Sequence, residues 1–292
     1  MTIHKLYVNC VLYMFSIENF GLNGVAWPFR IKMIDKIQTN KLSEEYFRLQ
    51  DKANISFNNK ISLKPNLLST FFDEIAFDEN ILKEVKKLIG EDIYIWSSAF
   101  FAKAPGEGKI VSFHQDNPYW QLTTTNVVTA WVALTESNSN SGALQVVPKS
   151  HNIGLIKKLD VNNPRESYLN GEKTTPSNDL LSYNQNLDDF IKRNPPETLE
   201  LAPGEFSLHH VNAVHGSGIN KSNNHRIGFA IRYVSSDTQH LKEKKDTAVH
   251  VSGKKNDYYT EEKRPKSDFS LESIENYKIA MSAAGAFGNK SY

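Results

Sequence analysis

The sequence predicts a mainly β protein, a double-sheet jelly roll or related barrel with α-helices packed on one side, and three observations carry that prediction. Eight short runs rich in Ile, Val, Phe, Trp and Thr recur between residues 92 and 235, a spacing that suits two facing sheets. Clusters of Gly, Pro, Asn and Ser separate them, as hairpin and corner turns require. The 292 residues are 39% hydrophobic and 11% aromatic, enough to fill a sizeable core, yet no apolar run reaches the roughly 18 residues of a membrane-spanning helix.

Taken in order, residues up to about 90 alternate polar loops with helix-like segments at 42–51 and 81–88, the second stopped by Gly90. Strands are expected near 92–103, 110–116, 125–135, 142–148, 197–202, 204–210, 213–217 and 226–235, with Pro203-Gly204 as a tight turn. The polar interruption between Ser150 and Asn194 contains Asn162-Asn163-Pro164 and Asn170-Gly171. It is too long for a hairpin connection, so 152–194 is a candidate lid, with a surface insertion as the plain alternative. After Ser236 the chain is charged and irregular, then helix-like over 271–284. The chain thus reads as a single domain, 1–292, with an α-rich buttress at 1–90, a jelly-roll core at 91–236 and a C-terminal cover at 237–292.

Charge and cysteine content exclude whole classes. Thirty-four basic and thirty-three acidic residues leave a formal charge of +1, without the electrostatic footprint of a nucleic-acid binder. Cys10 is the only cysteine, which rules out an intrachain disulfide, a zinc ribbon and an iron–sulfur cluster held by several thiolates. The apolar stretch 7–15 is short and lacks a small-residue cleavage site, and the last residues, Asn289-Lys290-Ser291-Tyr292, form no peroxisomal or reticular address. A cytoplasmic monomer or homodimer acting on a small molecule, with no nucleic-acid or membrane partner, is the expectation.

The most informative run is Phe113-His114-Gln115-Asp116-Asn117-Pro118-Tyr119-Trp120. On a strand, His114 and Asp116 would face the same side and offer an imidazole and a carboxylate to one metal ion. Taken alone the pair is a weak signal, because a hydrogen-bonded strand histidine is the commoner explanation of such a motif. A second cluster, Val214-His215-Gly216-Ser217-Gly218, supplies the further histidine of a two-histidine, one-carboxylate face, a ligand set that suits non-haem Fe(II) with open positions. Arg226 opens the next apolar strand and can hold a carboxylate bidentately. Arg232 shares its parity, so both should point inward; it would meet either an anionic substrate group or an internal carboxylate. Asn117, Tyr119 and Trp120 follow the metal motif and are candidate substrate contacts. His210 is expected to pack or hydrogen-bond rather than ligate.

In these motifs the sequence resembles the phytanoyl-CoA dioxygenase-like iron(II) and 2-oxoglutarate-dependent oxygenases. The matching features run in order from His114-Gln115-Asp116 through Thr129-Ala130-Trp131-Val132-Ala133-Leu134 to Ser141-Gly142-Ala143-Leu144-Gln145-Val146-Val147-Pro148-Lys149-Ser150-His151. They continue with Pro203-Gly204-Glu205-Phe206, His215-Gly216-Ser217 and Arg226. The resemblance implies a double-stranded β-helix (cupin-like jelly-roll) core and a hydroxylase using Fe(II), 2-oxoglutarate and O2, with succinate and carbon dioxide as products. It implies His114, Asp116 and His215 as iron ligands, Arg226 as the partner of the distal carboxylate of 2-oxoglutarate, and Ser217 and Trp131 beside that cosubstrate. Lys64, in Leu63-Lys64-Pro65, resembles a recurrent basic position at the same cosubstrate. Two rivals remain: a non-catalytic metal- or ligand-binding jelly roll, and an iron halogenase of the same fold, against which the presence of Asp116 argues.

Overall fold

A computed structural model describes residues 23–156, 178–181, 185, 187–241 and 245–283. Two sheets form the core. The larger has seven strands in the order β1 (Val25–Arg30), β7 (Glu205–His210), β4 (Val127–Ala133), β9 (Arg226–Ser235), β2 (Ile93–Lys103), β10 (Asp246–Ser252) and β11 (Tyr259–Glu261). The smaller has four, in the order β3 (Val111–His114), β8 (His215–Ser217), β5 (Gln145–Val146) and β6 (Glu197–Thr198). This is the expected double-sheet jelly roll, its sheets not closed into a barrel, and β9 occupies the 226–235 run expected of it.

Strand alternation gives the large sheet two chemically distinct faces. One face presents Val128, Ala130, Val132, Phe206, Leu208, Ile227, Phe229, Ile231 and Tyr233, which pack against helices α1 (Asn40–Phe57), α2 (Thr70–Ala76), α3 (Glu79–Ile89) and α6 (Leu271–Ala283) in one buried cluster. Burial of this apolar surface, at roughly 25 cal/mol per Å², is the main force holding the helices to one side. The opposite face looks toward the small sheet and carries cross-strand rows: His209, Thr129, Arg232 and Ser97; then Ser207, Trp131, Ala230 and Ala99; then Ala133, Gly228 and Phe101; and finally Arg226 with Lys103. Polar residues in that register mark the functional face.

Three strands were not expected. β1 lies within the segment read as α-rich, because Trp27-Pro28 breaks its pattern; its pairing with β7 shifts register between Ala26 and Phe29, where proline supplies no N–H. β10 and β11 lie in the tail read as an irregular cover, and pair in parallel with each other while β10 joins β2. The sheet therefore extends beyond the core expected at 91–236, at both ends. Several predicted strands are also shorter: 142–148 yields Gln145–Val146 and 197–202 yields Glu197–Thr198.

The helices follow local chemistry. Asp78 caps α3, its side chain accepting from the Asn80 N–H at 3.0 Å, and Gly90 ends it at φ +86°, as expected of that glycine. Helix α1 is longer than the expected 42–51. Most of the candidate lid lies outside the described residues, as do Cys10 and the stretch 7–15. Among the described residues no helix is long and apolar enough to cross a membrane.

Candidate active site

His114 ends β3 and His215 begins β8, and the two are direct cross-strand partners, with ring centroids 4.2 Å apart. Asp116 arrives differently from the strand-parity expectation. The strand stops at His114, and Asp116 has helical dihedrals (φ −69°, ψ −39°) at the N-terminus of a short helix, α4 (Asn117–Trp120). The backbone N–H groups of Asp116 and Asn117 both donate to the Val211 carbonyl, at 3.0 and 3.2 Å, pinning this turn to the β7–β8 connection. Gln115, fully buried, donates to the Gly154 and Asn212 carbonyls and accepts from Ile156 N and Gln185 Nε2. It acts as a peg that holds the turn.

The result is a converging donor set. Asp116 Oδ1 lies 3.4 Å from His114 Nε2 and 3.8 Å from His215 Nε2. Each imidazole donates through Nδ1 to a backbone carbonyl, His114 to Ser112 and His215 to Ala213, both at 2.9 Å. That bond leaves Nε2 as the lone-pair atom, turned toward the carboxylate. All three residues are buried, and their donor atoms lie within 4.8 Å of one another, a group suited to one metal ion. Burial alone would raise the Asp116 pKa, but the His215, His114 and His209 rings around it hold the carboxyl well below the usual range. His215 is pushed down to about 4 by burial and then by His114. An anionic oxygen beside a neutral His215 nitrogen is what a divalent metal requires of its ligands.

Beside this group lies a cavity of about 40 Å³ lined by Phe101, Val111, Thr129, Trp131, Leu144, His209, Ser217, Arg226, Ala230 and Arg232 together with the three donors. Arg226 is 2% exposed. Its Nη1 donates to the Phe101 carbonyl at 3.1 Å and Nη2 lies 3.4 Å from Ser217 Oγ, while Nε has no partner. Among the described residues no carboxylate pairs with it, and burial lowers its pKa to about 10. The guanidinium carbon sits 5.5 Å from the centre of the Trp131 ring. Gly228 makes that arrangement possible: a Cβ there would come within 2.0 Å of Trp131 Cζ2. A buried, unpaired guanidinium at the edge of a cavity is an anion site.

The remaining predicted residues divide. Ser217, Trp131 and Arg232 line the cavity. Asn117, Tyr119 and Trp120 do not; they form α4 at its side, where the Tyr119 ring stands edge-on to His114 at 5.6 Å and Trp120 lies 5.1 Å beneath the Arg232 guanidinium. Lys64 is not brought to the site. Its buried ammonium pairs with the buried carboxylate of Glu262 and donates to the Trp96 carbonyl at 3.0 Å, so its charge is compensated there and not at the cavity. His210 accepts from the Asn212 N–H at 3.0 Å and lies 5.2 Å from the His151 ring, in the hydrogen-bonding role expected of it.

Sequence reasoning missed two residues. His209 faces the cavity with Nε2 4.0 Å from Asp116 Oδ2, and its Nδ1 has no partner. Lys103 is fully buried behind Ser217. The available signal for His209 was parity with Ser207 on β7, opposite that of the apolar Phe206 and Leu208; for Lys103 it was a lysine closing the apolar run Ala99-Phe100-Phe101-Ala102.

The model of the phytanoyl-CoA dioxygenase (PhyH) family matches residues 35–228. Ectoine dioxygenase of Halomonas elongata is 28% identical over 161 residues, covering 53% of this chain and 47% of that protein. A probable alpha-ketoglutarate-dependent hypophosphite dioxygenase of Stutzerimonas stutzeri is 26% identical over 173 residues, covering 59% and 56%. The chain spans about half the length of these relatives. Among solved structures, the apo form of the non-heme monooxygenase ThoJ superposes with a TM-score of 0.71 at 22% identity, over 92% of this chain and 95% of that one. CytC3 with Fe(II) and alpha-ketoglutarate gives 0.59 at 18% identity, over 87% and 94%. At such identities these likenesses establish the shared fold.

Proposed function

The chain belongs to the phytanoyl-CoA dioxygenase family, and from that premise we propose that it is an iron(II)- and 2-oxoglutarate-dependent dioxygenase that hydroxylates an unactivated C–H bond of a small or medium-sized metabolite. The observation that carries the reading is the buried face of His114, Asp116 and His215 set beside an arginine without a carboxylate partner among the described residues. The donor set fits a metal ion, and the buried arginine fits a carboxylate-bearing cosubstrate. Relatives named for ectoine and for hypophosphite support a small polar substrate, and the single cysteine fits a cytoplasmic enzyme.

Bound there, iron(II), 2-oxoglutarate and O2 supply an oxidative decarboxylation that yields succinate and carbon dioxide and hydroxylates the substrate. The protein's part is to bind, orient and keep dry. His114 and His215 hold the metal through Nε2 and Asp116 holds it through its carboxylate. Arg226, cushioned by Trp131 and next to Ser217, takes the distal carboxylate of the cosubstrate. Arg232 takes an anionic group of the substrate in this reading, which its place in the cavity lining above Trp120 supports, and Asn117 and Tyr119 on the same short helix add substrate contacts. A second cleft, about 480 Å³, shares Phe101 and Arg232 with the metal cavity and opens past Tyr46, Phe47 and Leu181; it is the substrate's way in. β1 before the expected core and β10 and β11 after it all join the large sheet, which supports reading residues 1–292 as one oxygenase domain.

The test is succinate formation. The Fe(II)-loaded protein, given 2-oxoglutarate and oxygen, should release succinate at a slow basal rate, and a chelator should stop it. Asp116→Ala should bind iron more weakly and release none, since a first ligand is removed. Iron-loaded wild type that consumes no 2-oxoglutarate would overturn the assignment.

A further inference from the structure

Lys103 closes β2 on the inner face and is the cross-strand partner of Arg226. It is 0% exposed. Its Nζ meets three oxygens, the Ser217 carbonyl at 3.1 Å, the Ser217 hydroxyl at 2.6 Å and the Gly218 carbonyl at 2.5 Å, all of them neutral. The Asn220 side-chain amide, donating to the Lys103 carbonyl at 2.9 Å, holds the backbone in place. Two buried basic side chains thus share one hydroxyl, since Arg226 Nη2 also lies 3.4 Å from Ser217 Oγ. Among the described residues neither makes an ion pair.

We propose that Lys103 is a positioning residue for the cosubstrate, acting through Ser217: its ammonium donates to the Ser217 hydroxyl oxygen and so leaves the hydroxyl hydrogen for a carboxylate held by Arg226. This rests on reading the cavity as the 2-oxoglutarate site. The hydrogen-bond inventory enforces the choice. An ammonium has three N–H donors and no acceptor, which matches three oxygens. A neutral amine has two N–H donors and one lone pair; it then accepts the Ser217 hydroxyl hydrogen and turns that donor away from the cavity. The protonation state of Lys103 therefore decides whether Ser217 can bind an anion.

The surroundings set Lys103 close to this choice. Burial first, and then Arg226 on β9, bring its pKa down to about 6 against the opposing charge of Asp179. From β8 and the residue after it, only Ser217 and Gly218 oxygens face the amine. A dicarboxylate arriving at Arg226 supplies the missing negative charge and favours the ammonium. Cosubstrate binding is then linked to uptake of a proton from solvent onto Nζ, with no other bond made or broken.

The experiment is calorimetric titration of 2-oxoglutarate into the Fe(II)-loaded protein without oxygen, in buffers of different ionisation enthalpy between about pH 6 and pH 8. Wild type should take up a proton on binding and lose affinity as pH rises. Lys103→Met should bind about tenfold more weakly, with no proton uptake and a flat pH profile. Lys103→Arg, which stays charged, should restore part of the affinity without restoring the pH dependence. Unchanged affinity and pH slope in Lys103→Met would overturn the proposal. Should that variant not fold, wild-type binding without proton uptake would overturn it equally. Arg226→Ala, run alongside, separates the two readings: affinity kept there overturns the cosubstrate assignment itself, whereas affinity lost there but kept in Lys103→Met overturns only the role of Lys103.

Discussion

Arg232 shows how much one side chain's surroundings decide. Strand parity with Arg226 leaves it two partners, a substrate anion or an internal carboxylate, and in the folded chain it lies over Trp120 and lines both the metal cavity and the larger cleft. Among the described residues it makes no ion pair with Asp116, though that carboxylate is the charge that favours its protonated form. Arg232→Met should therefore preserve substrate-independent succinate release and depress the substrate-stimulated rate. If both rates and the melting temperature fall together, Arg232 supports the sheet and the anionic-substrate assignment fails. His114, Asp116, His215 and Arg226 were legible as motifs because their chemistry and spacing are distinctive. His209 was not, since one histidine of an adjacent pair is chosen only by the direction of the strand it lies on.

At the level of elements, the helices depend on part-buried contacts with the C-terminal segment as well as on their own propensities. Asp268 accepts from Thr70 N at 2.8 Å and Thr70 Oγ1 at 2.9 Å at the start of α2, and from Arg48 NH2 of α1 at 2.5 Å. Burial alone would raise its pKa, but Arg48 and Thr70 hold it below the ordinary aspartate value. A carboxyl whose folded pKa is depressed stabilises the fold above its unfolded value and loses that contribution as pH falls through the folded one. Asp268→Asn should thus cost on the order of 1–2 kcal/mol near neutrality, and the deficit should shrink in acid. Urea unfolding at several pH values measures it; a deficit constant with pH would show that shape rather than charge matters. Helices α3 and α6 were readable from periodicity and, for α3, from Gly90. β1 was not, because a proline within a six-residue edge strand erases its pattern.

For the whole molecule, the buried pair Lys64–Glu262 joins the residues before α2 to the chain that follows β11. Breaking a buried pair leaves a charge uncompensated, so Lys64→Met should destabilise by about 3–5 kcal/mol, and Lys64→Met with Glu262→Leu should recover much of the loss. A direct cosubstrate role would instead raise the 2-oxoglutarate requirement at unchanged stability. Thermal unfolding of the single and double variants, set beside cosubstrate titration, decides between them. By itself the sequence determined the jelly-roll class, the apolar face that the helices cover and the metal and arginine motifs, because period-two alternation and rare polar residues in apolar strands are local signals. Only the tertiary structure decided that Asp116 reaches the histidines from a helical turn, that Lys64 belongs to a structural pair, that β10 and β11 complete the sheet, and that Lys103 and Arg226 share Ser217. Each of these joins residues distant along the chain, and such pairings depend on register and packing that no local pattern records.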